Sequence, residues 1–164
     1  MYYPKTDYFQ KSFRDLWSIK GSRCRWGKRG HFIICEITVL SNFQEKPYTL
    51  CINYEKNWSP RVWIVEPNFL SGTYPHTYAR QSNSLCLYSD QFWQWRSGYN
   101  IVDTIVCWAL AWISYYEYYA LFNKWIGPEA PHDVHLSNEH IKNKLRKKKK
   151  FQKPVYLKDY PIRY

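Results

Sequence analysis

A thiol, an imidazole and a phenol sit within one irregular stretch of this chain: His76, Tyr78 and Cys86, with Asp90 just beyond. A thiol near its ordinary pKa is only slightly ionised at neutral pH, yet it is intrinsically a good nucleophile. Cys86 is therefore the residue best suited to covalent chemistry. His76 precedes it by ten residues, and a His–Cys hydrolase would need a third group to orient the base. No such group is evident. The stretch from Pro67 to Asn100 has no sustained hydrophobic period and includes Pro67, Gly72, Pro75 and Gly98. Irregular segments of this length inside a domain are usually functional.

The other candidates are weaker. The chain has five cysteines, Cys24, Cys35, Cys51, Cys86 and Cys107, an odd count with no Cys-x-x-Cys pair. Neither a disulfide framework nor a zinc knuckle is expected, and reduced thiols in a cytoplasmic setting fit best. Cys35 and Cys51 fall on strand patterns and Cys107 in an aromatic run, so all three read as inert packing residues. Cys24 is unassigned. His132, His135 and His140 lack an evident further ligand for a metal and read as solvated or packed side chains. No metal or cofactor is implied, and there is no Gly-rich phosphate loop.

Several elements must position the irregular stretch. Asp7 followed by Gln10 resembles a capping box, and Phe9, Phe13, Leu16 and Trp17 share one helical face. A helix from about Thr6 to Ile19 follows, ended by Gly21. Ile33, Cys35, Ile37 and Val39 alternate with their neighbours, as do Tyr48, Leu50, Ile52 and Tyr54. Arg23–Trp26 before the Gly27–Gly30 turn and Val62–Val65 complete four strands. Their short connections favour an antiparallel meander.

Ile101 to Phe122 is an apolar run long enough to cross a bilayer. Asp103, Glu117 and the hydroxyls of Tyr115, Tyr116, Tyr118 and Tyr119 argue for a helix buried in protein instead. Gly127-Pro128 should stop it, and a weaker helical pattern begins at Asn138. Helix, strands, ordered loop, then helices make an α+β arrangement.

This order resembles the ubiquitin-conjugating-enzyme superfamily. There a His-Pro-Asn motif precedes an active-site Cys-Leu by ten residues, matched here by His76-Thr77-Tyr78 and Leu85-Cys86-Leu87. Ser59-Pro60-Arg61-Val62-Trp63-Ile64 is similar to the family's Pro-x-Val strand. Trp125-Ile126-Gly127-Pro128-Glu129-Ala130-Pro131-His132, following a Tyr- and Trp-rich helix, resembles bacterial members. These include conjugating proteins found with anti-phage cyclic-nucleotide synthases or in ubiquitin-like operons.

The resemblance implies a UBC-like fold. It also implies that Cys86 accepts a ubiquitin-like modifier, or a partner protein's C-terminus, as a thioester from a separate activating enzyme. The acyl group then passes to an amine of a target protein, and a nucleotide cyclase is one candidate partner. His76 would organise the loop and not act as a base. Tyr78 stands where the family has Asn, and its hydroxyl is a candidate oxyanion donor. Asp90 and His132 are the candidate general bases.

Charge divides the chain. Residues 1–140 carry 14 Lys/Arg and 12 Asp/Glu, net +2, whereas residues 141–164 carry 10 Lys/Arg and one acid, net +9. A conjugating domain over 1–140 followed by a basic tail over 141–164 is the expected organisation. The tail's default role is a solvated, self-repelling segment, and contact with nucleic acid or an anionic membrane surface is the alternative. A UBC-like interaction module without transfer activity is the other rival. The N-terminus, Met-Tyr-Tyr-Pro-Lys-Thr-Asp, lacks a signal-peptide pattern.

Overall fold

A computed structural model describes residues 7–27, 30–67, 75–78, 83–88 and 95–128. The first helix, α1, runs Tyr8–Trp17. Asp7 caps it, accepting from the Phe9 amide at 3.0 Å and the Gln10 amide at 3.3 Å. It ends two residues before the expected Ile19, because Ser18 turns off at its C-terminus and Gly21 (φ +79°) takes the chain into the sheet.

Four strands follow: β1 (Arg23–Gly27), β2 (Phe32–Leu40), β3 (Pro47–Glu55) and β4 (Arg61–Glu66). They pair antiparallel in sequence order, as their short connections predict. Because strand side chains alternate faces, Ile33, Cys35 and Ile37 of β2 point the same way as Leu50, Ile52 and Tyr54 of β3. All six are buried in the main core, with Phe9 and Leu16 of α1 and Val62 of β4. On the opposite face Ile34 and Cys51 form a smaller apolar cluster, beside an ion pair between Arg23 and Glu36 at 2.6 Å.

Cys24 and Cys35 require a correction. Reduced thiols were the expectation, yet these two are disulfide-bonded. The reason is register: Cys24 lies directly opposite Cys35 across the β1–β2 pair. The thiols outside the disulfide are Cys51, buried, Cys86, half-buried, and Cys107, exposed. The expectation that Cys107 packs inertly inside an aromatic helix is therefore also corrected.

Two short strands, β5 (Thr77–Tyr78) and β6 (Ser84–Leu85), make a separate hairpin. Beyond it, Asn100 starts the apolar run, its side chain accepting from the Val102 amide at 2.9 Å. Val102–Val106 forms a π-helical turn that passes directly into α2, Cys107–Phe122. Asn123, in the left-handed region at φ +52°, ends α2 four residues before Gly127. Among the described residues no helix is long and apolar enough to cross a membrane. The helix expected from Asn138 and the tail lie outside the described residues.

One polar tie locks α2 to the sheet. Glu117 is buried, accepting from the Tyr48 hydroxyl at 3.1 Å and the Gln44 amide at 3.2 Å. A buried carboxylate persists when donors satisfy it, and these two come from β3 and the β2–β3 turn. Burial, then the charge and hydrogen bond of Glu117, push the Tyr48 phenol well above its ordinary pKa.

Candidate active site

The β5–β6 hairpin brings His76 and Cys86 together. Thr77 pairs with Leu85 and Tyr78 with Ser84, so the next pair outward is His76 with Cys86. The Cys86 amide donates to the His76 carbonyl at 2.9 Å, extending the ladder by one rung. Leu85 is buried in the main core and anchors β6. Cys86 emerges half-buried directly after it.

His76 is held on three sides. Its φ is +54°, a region that costs a non-glycine residue roughly 1–2 kcal/mol, so neighbouring contacts must hold the turn. Its carbonyl accepts a second hydrogen bond, from the indole N–H of Trp112 in α2 at 2.9 Å. Its ring stacks on that of Trp125 at 4.3 Å. Trp125 in turn meets Trp112 and Tyr115, each at a centroid distance of 5.8 Å. Gly127 lies so close that a β-carbon there would fall 2.4 Å from a Tyr115 ring atom.

On the far side of Cys86 the chain is fixed by hydroxyls. Tyr78 donates to the Tyr88 carbonyl at 2.8 Å, and Tyr88, itself buried, donates to the carbonyl of Pro60. The Arg61 guanidinium lies over both rings, 5.3 Å from Tyr78 and 5.6 Å from Tyr88, at cation–π range. The Tyr78 proton is thus directed at a backbone carbonyl in this state. To serve an oxyanion it must leave that carbonyl. Trp95 is buried and meets Tyr54 edge-on at 5.4 Å; Asp90 and His132 lie outside the described residues.

Trp112 and Tyr88 were not singled out from sequence, and Trp125 and Arg61 entered only as members of the family-like motifs, with no role of their own. A buried indole N–H usually finds an acceptor, but with nine tryptophans in the chain that rule does not say which of them would reach the loop.

The model of the E2-CBASS family, described as Type II CBASS E2 protein, matches residues 11–133. That span is well over half of the chain and contains the sheet, the hairpin bearing His76 and Cys86, and α2. No curated protein matches the chain.

Proposed function

The chain belongs to the Type II CBASS E2 family, and from that premise we propose that it is a conjugating transferase of anti-phage signalling with Cys86 as its nucleophile. The observation that carries the reading is a half-buried thiol outside any disulfide, placed directly across a hairpin from a histidine whose backbone is fixed by α2.

The chemistry is two acyl transfers. The Cys86 thiolate attacks the C-terminal carbonyl carbon of a ubiquitin-like modifier, or of a partner protein such as a nucleotide cyclase, held as a thioester on an activating enzyme. A C–S bond to Cys86 forms, the old C–S bond breaks, and the activating enzyme's cysteine leaves as thiolate. A target amine then attacks the same carbon. A C–N bond forms, Cys86 departs, and the amine's proton passes to a base, for which Asp90 and His132 are the candidates.

His76 has a positioning role, since its carbonyl and ring are both engaged in holding the loop. Tyr78 keeps its hydroxyl on the Tyr88 carbonyl, and it becomes an oxyanion donor only by exchanging that carbonyl for the reacting oxygen. The basic residues 141–164 are a solvated appendage on this reading, dispensable for loading.

Incubation with modifier, activating enzyme and ATP, followed by a non-reducing gel, tests the proposal. The wild type and a Cys107→Ser variant should form a thiol-sensitive adduct, and Cys86→Ala should not. An adduct that survives Cys86→Ala removes Cys86 from the role. Its absence from the wild type leaves an interaction module.

A further inference from the structure

Two tryptophans outside the reactive loop converge on one residue of it. The His76 carbonyl is a shared acceptor, taking the Cys86 amide and the Trp112 indole N–H at 2.9 Å each. The His76 ring is covered by Trp125. Trp125 leans on Trp112 and Tyr115, and Gly127 leaves the space those rings occupy. His76 has little freedom of its own to hold this geometry, because its left-handed backbone is intrinsically unfavourable.

We infer that Trp112 and Trp125 are positioning residues for Cys86: acting through the carbonyl and ring of His76, they fix the amide, and hence the thiol, of the nucleophile. The inference rests on the reading of Cys86 as the reactive thiol, and it extends the site to α2 and the segment after it. Acyl transfer depends steeply on the placement of its nucleophile. Movement of the Trp125–Gly127 segment therefore changes how Cys86 presents its sulfur, although neither residue need touch a substrate.

The unbridged cysteines supply their own controls. Cys107 is exposed and reports general reactivity, whereas Cys51 is buried and reports opening of the fold. Full-length wild type, Trp112→Phe and Gly127→Ala proteins are treated with iodoacetamide across a range of pH, and labelling at each cysteine is followed by mass spectrometry. Trp112→Phe keeps a ring but deletes the donor. Gly127→Ala leaves every donor in place and displaces Tyr115 or Trp125, since its β-carbon would also lie 2.9 Å from the Trp125 indole nitrogen.

In Trp112→Phe Cys86 labelling should rise by about threefold to tenfold, the range that one neutral hydrogen bond commands; in Gly127→Ala, where rings shift and no donor is lost, it should rise in the same direction, each with an altered pH profile. Cys51 and Cys107 should be unchanged. In a loading assay the same variants should lose turnover at unchanged KM. Cys86 labelling that follows wild type at every pH overturns the inference. So does a rise at Cys51 that parallels Cys86, which would mean the tryptophans only support the fold. Neither labelling result needs a modifier, so failure here is separable from failure of the wild type to form a thioester.

Discussion

The Cys86 amide donates to the His76 carbonyl at 2.9 Å, directly across a two-stranded hairpin. The histidine thereby contributes to the site through its main chain, while its imidazole lies flat on Trp125 at 4.3 Å. A general base would need a ring nitrogen within reach of the attacking group. The stacked ring instead serves as packing for a backbone turn.

Replacement of His76 separates the two roles. Asn accepts the left-handed conformation better than most residues, so His76→Asn should keep transfer within about tenfold of wild type and leave the pH profile between about 6 and 8 unaltered. Loss of a general base would cost about 10²–10⁴-fold. His76→Ala should unfold at lower urea than His76→Asn, because Ala meets the full left-handed penalty of roughly 1–2 kcal/mol. Single-turnover transfer and urea titration check both outcomes.

Tyr78 poses a sharper choice. Its hydroxyl donates to the Tyr88 carbonyl at 2.8 Å, and a hydrogen bond of this kind contributes about 1 kcal/mol net. Tyr78→Phe should therefore lower stability by about that much, load Cys86 normally, and slow amine transfer by less than about fivefold. A fall of about 10²-fold or more, which removal of an oxyanion donor produces, would show that the hydroxyl leaves Tyr88 during the reaction. Separate assays of loading and aminolysis distinguish these results.

Much of the framework is legible in the residues, for identifiable reasons. Alternation in Ile33–Val39 and Tyr48–Tyr54 fixes which side chains face the core, and Asp7 marks its helix start by a cap that the structure contains. The ten-residue step from His76 to Cys86 is the pairing distance of a hairpin, a local relationship that sequence spacing preserves. What sequence hides depends on register and rotation. Cys24 and Cys35 become neighbours only when β1 and β2 are aligned. Cys107 turns outward directly after a π-helical turn, which takes in an extra residue and rotates the face that follows. Trp112 and Trp125 stand among so many rings that composition gives no clue to which ones meet the loop.

Glu117 should matter for stability and not for chemistry. Its removal in Glu117→Ala leaves the buried Tyr48 hydroxyl and the Gln44 amide without their acceptor. A buried donor that loses its acceptor costs about 1–3 kcal/mol, and the half-buried Gln44 amide, which water can reach, costs less. Glu117→Gln keeps one acceptor oxygen and should lose less. Urea denaturation should rank wild type above Gln above Ala, with Cys86 loading in the folded protein equal in all three. A ranking in which Ala equals wild type would mean that water replaces the carboxylate at no cost.

Alkaline pH should destabilise the fold through its buried phenols. Tyr54 packs against Phe9 and Trp95, and burial, aided by the Asp7 carboxylate, pushes its pKa up to about 12 from an ordinary value near 10. Tyr48 is raised as well, first by burial and then by Glu117. Above about pH 10 the unfolded chain releases these protons while the folded chain retains them, so the folded state binds more protons and stability falls as pH rises. The Tyr54 contribution is whole below about 10 and is lost on passing through about 12. Unfolding free energies measured from pH 8 upward should therefore decline more gently in Tyr54→Phe than in wild type, because Phe has no proton to hold. An identical decline in the two proteins would mean that Tyr54 ionises as readily folded as unfolded, and that its enclosure by Phe9 and Trp95 does not exclude water.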